Sequence, residues 1–510
     1  MLKNIVIVGG GTAGWMTAAA FAKHLPKQCK IRLIESDQIA TVGVGEATIP
    51  VIRQFNTSLG IDEKEFMSRT NASFKLGIRF ENWARQGDAY NHAFGYYGIP
   101  INDVAFHHYW MKLQQQGKGE SIHDYCVPSV ASDTERYAHR QYNDNRWDTR
   151  YFYAFQFDAA LYAKYLNEWS QARGVTRTEG KVTQINRDDE TGFIRSITLD
   201  DGTKVKGDLF IDCTGFRGVL INQTMGVEFR DWSHWLPVNR AWAVSSSYPT
   251  PESSIPPYTR ARALDAGWQW RIPLQNRSGD GNVFCNEYIS EERGREQLLE
   301  NIEGKALNEP RLLKFTTGMR EKLWHKNCVS IGLSAGFLEP LESTSIALIQ
   351  ATIMVLLKNF PTENMETARQ NEFNRRMRKR YEEARDFLIL HYHATEREDT
   401  PFWAYCKNMS IPDELQHRID LFSETGKVSN DKEDLFQEHN WLAVLFGQRI
   451  MPRNYDTRVN NLPDEYIEQT LAEMHSEIHT VIHSMPTHNQ TLADYCAGDL
   501  ISLIKNTHSV

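Results

Sequence analysis

The sequence predicts an α/β fold: a Rossmann-like dinucleotide-binding sheet within residues 1–360, followed by a mainly helical remainder over 361–510. Three observations carry this reading. An apolar strand over 5–8 runs directly into Gly9-Gly10-Gly11-Thr12-Ala13-Gly14 and an Ala-rich helix over 15–25. A second strand over 31–34 ends in Glu35, 21 residues after Gly14. Beyond residue 361, apolar residues fall at helical spacing over 363–388, 412–422 and 463–485.

Each position in the first unit has a physical task. Gly9 makes the tight turn, Gly11 lets a pyrophosphate approach, Gly14 lets helix and strand pack closely, and Glu35 is placed for a ribose hydroxyl. A glycine pattern alone is common. Strand, glycines, helix, strand and acid arriving in order point to a dinucleotide.

A later apolar strand, Leu209-Phe210-Ile211-Asp212-Cys213-Thr214-Gly215, follows a hairpin-like pattern over 182–205. That return to the first sheet suits an FAD-binding domain of the glutathione-reductase type. A second Gly-rich loop, Gly43-Val44-Gly45-Glu46-Ala47-Thr48-Ile49-Pro50, is expected close to the flavin.

Composition narrows the function. The chain has 510 residues, enough for roughly two to four domains, with 41% hydrophobic and 24% charged residues. A net charge of −8 without a long basic tract gives no sign of a polyanionic partner, so no nucleic acid is expected. The densest basic run, Arg375-Arg376-Met377-Arg378-Lys379-Arg380, precedes Glu382 and Glu383 and reads as a solvated helix face. Seven cysteines without C-x-x-C spacing fit a reduced, cytoplasmic chain. The N-terminal apolar run is too short for a secretory signal, and no segment is expected to span a membrane. His391 and His393 flank Tyr392 with no carboxylate or cysteine at ligand spacing, so no metal is expected.

The stretch from Cys328 to Gln350 is chemically the most loaded. It reads as a strand over 329–333 that includes Leu333, a turn at Gly336, and an apolar helix over 345–357, with Glu342 just before the helix. Ser343 and Thr344 are good N-cap residues, so the first helical N–H groups, near Thr344 and Ser345, can hold a small anion.

Four stretches together resemble the flavin-dependent halogenases, the family of tryptophan and indole halogenation. They are 9–14, 43–50, Gly267-Trp268-Gln269-Trp270-Arg271-Ile272-Pro273, and 336–345. The third holds the family's W-x-W-x-I-P signature in full, in Trp268, Trp270, Ile272 and Pro273. In Phe74-Lys75-Leu76-Gly77-Ile78, Lys75 falls where the family has its active-site lysine.

The resemblance implies a fold and a chemistry. The fold is an FAD-binding module over 1–360 with inserted substrate-facing segments, and a mainly helical substrate-binding cap over 361–510. The cofactor is FAD, used as FADH2 and held by Gly9, Gly11, Thr12, Ala13, Gly14, Glu35, Gly45, Glu46, Ala47 and Leu333. Reduced FAD, oxygen and chloride or bromide give hypohalous acid, which crosses a tunnel bordered by Trp268 and Trp270 to a separate substrate pocket. Lys75 would engage that oxidant, and Glu342 would stabilise the cationic ring and remove its proton. Thr344 and Ser345 match the halide site, although many tryptophan-specific members have glycine in place of Ser345.

On the substrate side, His92 and Phe94 resemble the family's H-x-F element. Tryptophan-specific members grip the amino acid with tyrosines, which are absent from Asn440-Trp441-Leu442-Ala443-Val444-Leu445-Phe446-Gly447. Trp441, Leu442 and Phe446 offer little to a zwitterion, whose buried charges need partners. A simple indole or other electron-rich aromatic is therefore expected. Free tryptophan, or hydroxylation by a flavin monooxygenase, stands as the alternative. With one nucleotide fingerprint, a separate NAD(P)H-dependent flavin reductase is implied, and a homodimer is a possible assembly.

Overall fold

The computed structural model describes residues 2–38, 45–139, 151–431 and 433–496. The chain divides into two compact units, each assembled from three separated stretches. The first comprises Met1–Asn71, Phe157–Asn239 and Lys314–Glu382, and the second Ala72–Gln156, Arg240–Leu313 and Glu383–Val510.

A six-stranded sheet centres the first unit, in the order Trp324–His325, Cys328–Ser330, Leu209–Asp212, Asn4–Val8, Lys30–Glu35, Thr176–Glu179. All neighbours are parallel except the first pair. Val8 lies beside both Ile34 and Asp212, so the ends of three strands converge on one turn. Parallel strands covered on both faces read as continuous apolar runs, as I-V-I-V and L-F-I-D do here. The predicted hairpin forms a separate antiparallel sheet of Val182–Arg187, Ile194–Leu199 and Lys204–Lys206. Its apolar side packs Ile194, Ile197 and Leu199 against Val6 and Phe210.

The second unit is built on a seven-stranded sheet. Its order is Arg311–Lys314, Arg240–Ser246, Ser278–Phe284, Gly267–Pro273, Thr259–Ala263, Gly77–Glu81, Ala89–Ala93. The W-x-W-x-I-P stretch is an inner strand of it, buried along its whole length. The helices Pro401–Asn408, Asp413–Thr425, Glu438–Gly447 and Asp464–Ser484 belong to this unit.

Several expectations differ from what is found. The division does not fall at residue 360: residues 361–382 belong with the nucleotide-binding unit, and residues 72–156 and 240–313 with the other. The helix Thr367–His393 runs across the boundary, which a contiguous reading of the chain hides. The strand predicted over 329–333 stops at Ser330, and Leu333 sits in a 3-10 turn, Gly332–Ser334, because Gly332 is left-handed at φ 77°. The helix after Glu342 starts at Thr344 and ends at Lys358.

The expectation of no membrane-length segment also needs correction. The Leu341–Lys358 stretch is long and apolar enough on length and composition, with a mean hydropathy of 1.4. Its apolar residues pack against the helices Thr12–His24 and Val51–Leu59, and 67% of the window is buried, as in a core helix.

Candidate active site

The dinucleotide cradle is built by backbone. Gly9 has φ 113°, and a Cβ there would stand 2.2 Å from the Cys213 carbonyl oxygen. A Cβ on Gly14 would stand 1.9 Å from the Gly9 oxygen, so both glycines are required by contact. Gly11 is different: nothing lies within 4 Å of the point where its Cβ would be, which leaves open space over the turn.

Gly11 is also the N-cap of the Thr12–His24 helix and offers it no side-chain hydrogen bond. The helix's first N–H groups and its positive dipole end therefore face that space. Glu35 ends its strand with a carboxylate that accepts from Arg177 Nε at 2.5 Å and Trp15 Nε1 at 3.3 Å. Open space, unsatisfied donors and an anchored acid fit the pyrophosphate and ribose of a dinucleotide. Asp212 supports the turn: one oxygen accepts from the N–H groups of Leu220 and Ile221, the other from Thr214.

In the second Gly-rich loop, Gly45, Glu46 and Ala47 form a short strand. Loss of hydration pushes the Glu46 carboxyl up to about 7. Gly43 and Val44 lie outside the described residues.

The turn before the Thr344 helix is strained. Glu342 (φ 65°, ψ 4°) and Ser343 (φ 56°, ψ 36°) are consecutive left-handed residues, and Glu339 has φ 89°. Non-glycine residues held this way cost about 1–3 kcal/mol each, which packing around the site must offset. The strain turns the Glu342 side chain inward, where it is 1% exposed. Ser343 occupies the N-cap position but, being left-handed, makes no cap hydrogen bond. Thr344 is 1% exposed, and its hydroxyl is buried without a hydrogen-bond partner among the described residues. An orphaned hydroxyl at an uncapped helix N-terminus is suited to a small anion. Ser345, one residue on, is partly exposed.

Lys75 is fully buried at the end of the short strand Ser73–Lys75. That strand pairs with Ala154–Asp158, with Lys75 opposite Ala154. Ser73 Oγ donates to the Pro273 carbonyl at 2.5 Å, which ties the end of the W-x-W-x-I-P strand to the strand carrying the lysine. Phe94 N donates to Leu76 O at 2.7 Å, and this bond brings the Phe94 ring to 5.5 Å from Lys75 Nζ. Trp268 and Trp270 stand on one face of their strand, 6.1 Å apart between ring centroids. The Trp270 indole N–H is buried without a partner among the described residues. Ile272 is also buried.

His92 joins Lys75 and Phe94 to an aromatic wall. Its ring meets Phe94 edge-on at 6.2 Å and Phe387 at 5.5 Å. Asn440 Oδ1 accepts from Gln437 N, so its Nδ2 faces His92 Nε2 at 2.9 Å as the donor, and Nε2 is the lone-pair nitrogen. Trp441 packs edge-on against Phe387 at 5.0 Å. Burial and the neighbouring His92 hold His439 down to about 4.

The grouping is not complete. Phe446 packs among Trp110, Phe422 and His107, away from His92 and Phe94, because it sits on another face of its helix from Asn440. Leu442 is buried on the same helix. Phe387 and Phe436 were not singled out from sequence, and neither was Arg177. A charged helix, a loop and a polar strand carry no signal for them until the chain is folded. Among the described residues no group of three or more His, Cys, Asp or Glu side chains could hold a metal ion.

The tryptophan halogenase family model matches residues 4–464. The tryptophan 6-halogenase SttH of Streptomyces toxytricini is 36% identical over 87% of this chain and 89% of its own length. The tryptophan 7-halogenase RebH of Lentzea aerocolonigenes is 32% identical over 96% and 98%. Among solved structures, a flavin-dependent halogenase from Xanthomonas campestris superposes with a TM-score of 0.93 at 43% identity, covering 97% of this chain and 99% of the other. BrvH, a flavin-dependent halogenase from Brevundimonas sp. BAL3, gives 0.94 at 39% identity over the same shares. With its signature strand, glycine cradle and buried lysine accounted for, the chain belongs to the tryptophan halogenase family of flavin-dependent enzymes.

Proposed function

We propose that this enzyme uses reduced FAD, oxygen and chloride or bromide to halogenate an indole-like, electron-rich aromatic. The observation that carries the reading is Lys75: a fully buried lysine with Nζ 5.5 Å from the centre of Phe94, beside His92.

FAD is held by Gly9, Gly11, Thr12, Ala13, Gly14 and Glu35, with Gly45, Glu46, Ala47 and Leu333 around it. Reduced flavin, when bound, would supply two electrons to oxygen, which would take two more from the halide to give hypohalous acid and water. Thr344 and Ser345 hold the halide: the buried Thr344 hydroxyl and the first helical N–H groups donate to it. Trp268 and Trp270 border the tunnel, where their bulk keeps the substrate from meeting the flavin directly.

Lys75 donates from its ammonium to the oxygen of the oxidant, or carries the halogen as a haloamine when its amine is neutral. As the carbon–halogen bond forms, the ring becomes cationic. Glu342 stabilises that charge and accepts the ring proton, a general-base role worth about 10²–10⁴-fold. Phe94 and Trp441 flank the ring, and each aromatic contact contributes about 0.5–1.5 kcal/mol.

A separate NAD(P)H-dependent flavin reductase supplies FADH2. Free tryptophan is the second reading, favoured by the names of the relatives, which are tryptophan 6- and 7-halogenases. Purified enzyme with a flavin reductase, given indole or tryptophan with chloride or bromide, tests both. A halogenated indole with little product from tryptophan supports the first reading. A hydroxylated product indifferent to halide overturns both.

A further inference from the structure

A set of buried charged groups lies behind the aromatic wall, and the roles above do not use it. Glu383, on the helix Thr367–His393, accepts the Phe436 backbone N–H at 3.0 Å and that of Leu435 beside it. Asp434, two residues before Phe436, is buried and faces Arg418 Nη2 at 3.7 Å. The Arg418 guanidinium in turn lies 4.7 Å from the Trp441 ring centre.

The peptide that Glu383 holds is the one on which the wall turns. The Phe436 ring stacks on Phe387 at 3.8 Å with 21° between planes. The Phe436 carbonyl accepts the Trp441 indole N–H at 3.3 Å. Phe387 and Phe436 then reach the His92 ring at 5.5 and 6.3 Å. Movement of the Phe436 backbone, held at its N–H by Glu383 and bonded at its carbonyl by Trp441, shifts both the stacked pair and the indole.

A carboxylate is a costly device for fixing a loop in such a place. Burial raises the Glu383 carboxyl to about 7, with the like charge of Asp434 adding to the rise and the two peptide N–H groups and Arg418 opposing it. Among the described residues, Asp434 and Arg418 are the charged groups whose effect on it is resolved. A neutral glutamine would accept the same hydrogen bond without that cost.

We propose that Glu383 is a positioning residue for the substrate: by holding the Phe436 peptide it sets the spacing of Phe387, Phe436 and Trp441 from His92, and so the affinity for a flat aromatic. The inference rests on the reading of this wall as the substrate side of the site. An ionised carboxylate is a stronger acceptor than its protonated form, so the grip tightens as pH rises through the neutral range.

The test is indole binding by calorimetry to the FAD-loaded enzyme at pH 6, 7 and 8, for wild type, Glu383→Gln and Glu383→Ala. Hydrogen exchange of the Phe436 amide is followed in the same samples without indole. Wild type should bind indole more tightly at pH 8 than at pH 6, and Glu383→Gln should give a flat profile. Glu383→Ala should weaken binding about tenfold and speed Phe436 exchange about tenfold, the effect of losing one hydrogen bond to a charged group. Turnover at saturating indole should stay within about threefold, because the chemistry is untouched.

Should the alanine variant not fold, the glutamine profile decides alone. A Glu383→Gln profile that tracks wild type, or a Glu383→Ala variant with faster exchange and unchanged indole affinity, overturns this inference only. Wild type that binds no aromatic at any pH overturns the substrate reading together with it.

Discussion

The ammonium of Lys75 points at the face of Phe94, 5.5 Å from the ring centre, in a place where the lysine is wholly buried. A cation over a π-face gains about 0.5–2 kcal/mol, more when desolvated, and the contact holds a long flexible chain in one orientation. Under the proposed function the ring that restrains the lysine would also border the substrate, so both reactants would be referenced to one side chain.

Lys75→Ala should leave reoxidation of reduced FAD close to the wild-type rate while halogenated product falls by more than about 10²-fold, the scale of losing a positioned proton donor. Stopped-flow absorbance follows the flavin and chromatography the product. Product formed at the wild-type rate would remove Lys75 from the chemistry.

Glu342→Gln keeps shape and hydrogen bonding but cannot accept the ring proton. Turnover should drop about 10²–10⁴-fold while FAD and indole affinity stay within about threefold. A turnover number equal to wild type refutes the general-base role.

Thr344→Val deletes the orphaned hydroxyl and retains the shape. The KM for chloride should rise about tenfold, the cost of one hydrogen bond to an ion, and the melting temperature should not fall, because the hydroxyl has no partner among the described residues. An unchanged chloride KM places the halide elsewhere.

Acid should destabilise the fold through His107. It is buried, with Nε2 hydrogen-bonded to the Gly426 carbonyl at 2.8 Å, and desolvation followed by the neighbouring His108 holds it down to about 3. The folded state therefore keeps His107 neutral where the unfolded chain has already taken up a proton. Its contribution is complete above the ordinary histidine range and is lost as pH falls from about 6.5 towards 3. Thermal melts across that window should show a shallower acid limb for His107→Gln, which can still bond Gly426. A limb as steep as wild type assigns the acid sensitivity to other groups.

The dinucleotide unit was legible because its requirements are local. The glycines, their helix and Glu35 lie within 35 residues, and each answers to backbone geometry that sequence states directly. Lys75 was legible as a position but not as an environment: its burial depends on Phe94 and on Pro273, whose carbonyl anchors Ser73 from 200 residues away. Phe446 misled because helix spacing alone does not say which face meets His92. The left-handed pair Glu342 and Ser343 was invisible, since neither residue type favours that conformation and only the surrounding packing imposes it.

The braided order of the two units bears on synthesis. Val8 pairs with Asp212, and the neighbour of that strand is not made until Ser330. The other unit still waits for residues after Glu383. A nascent chain leaving the ribosome cannot finish either half early, so strand edges stay uncovered through most of translation, and a chaperone that shields them should raise the yield of active enzyme.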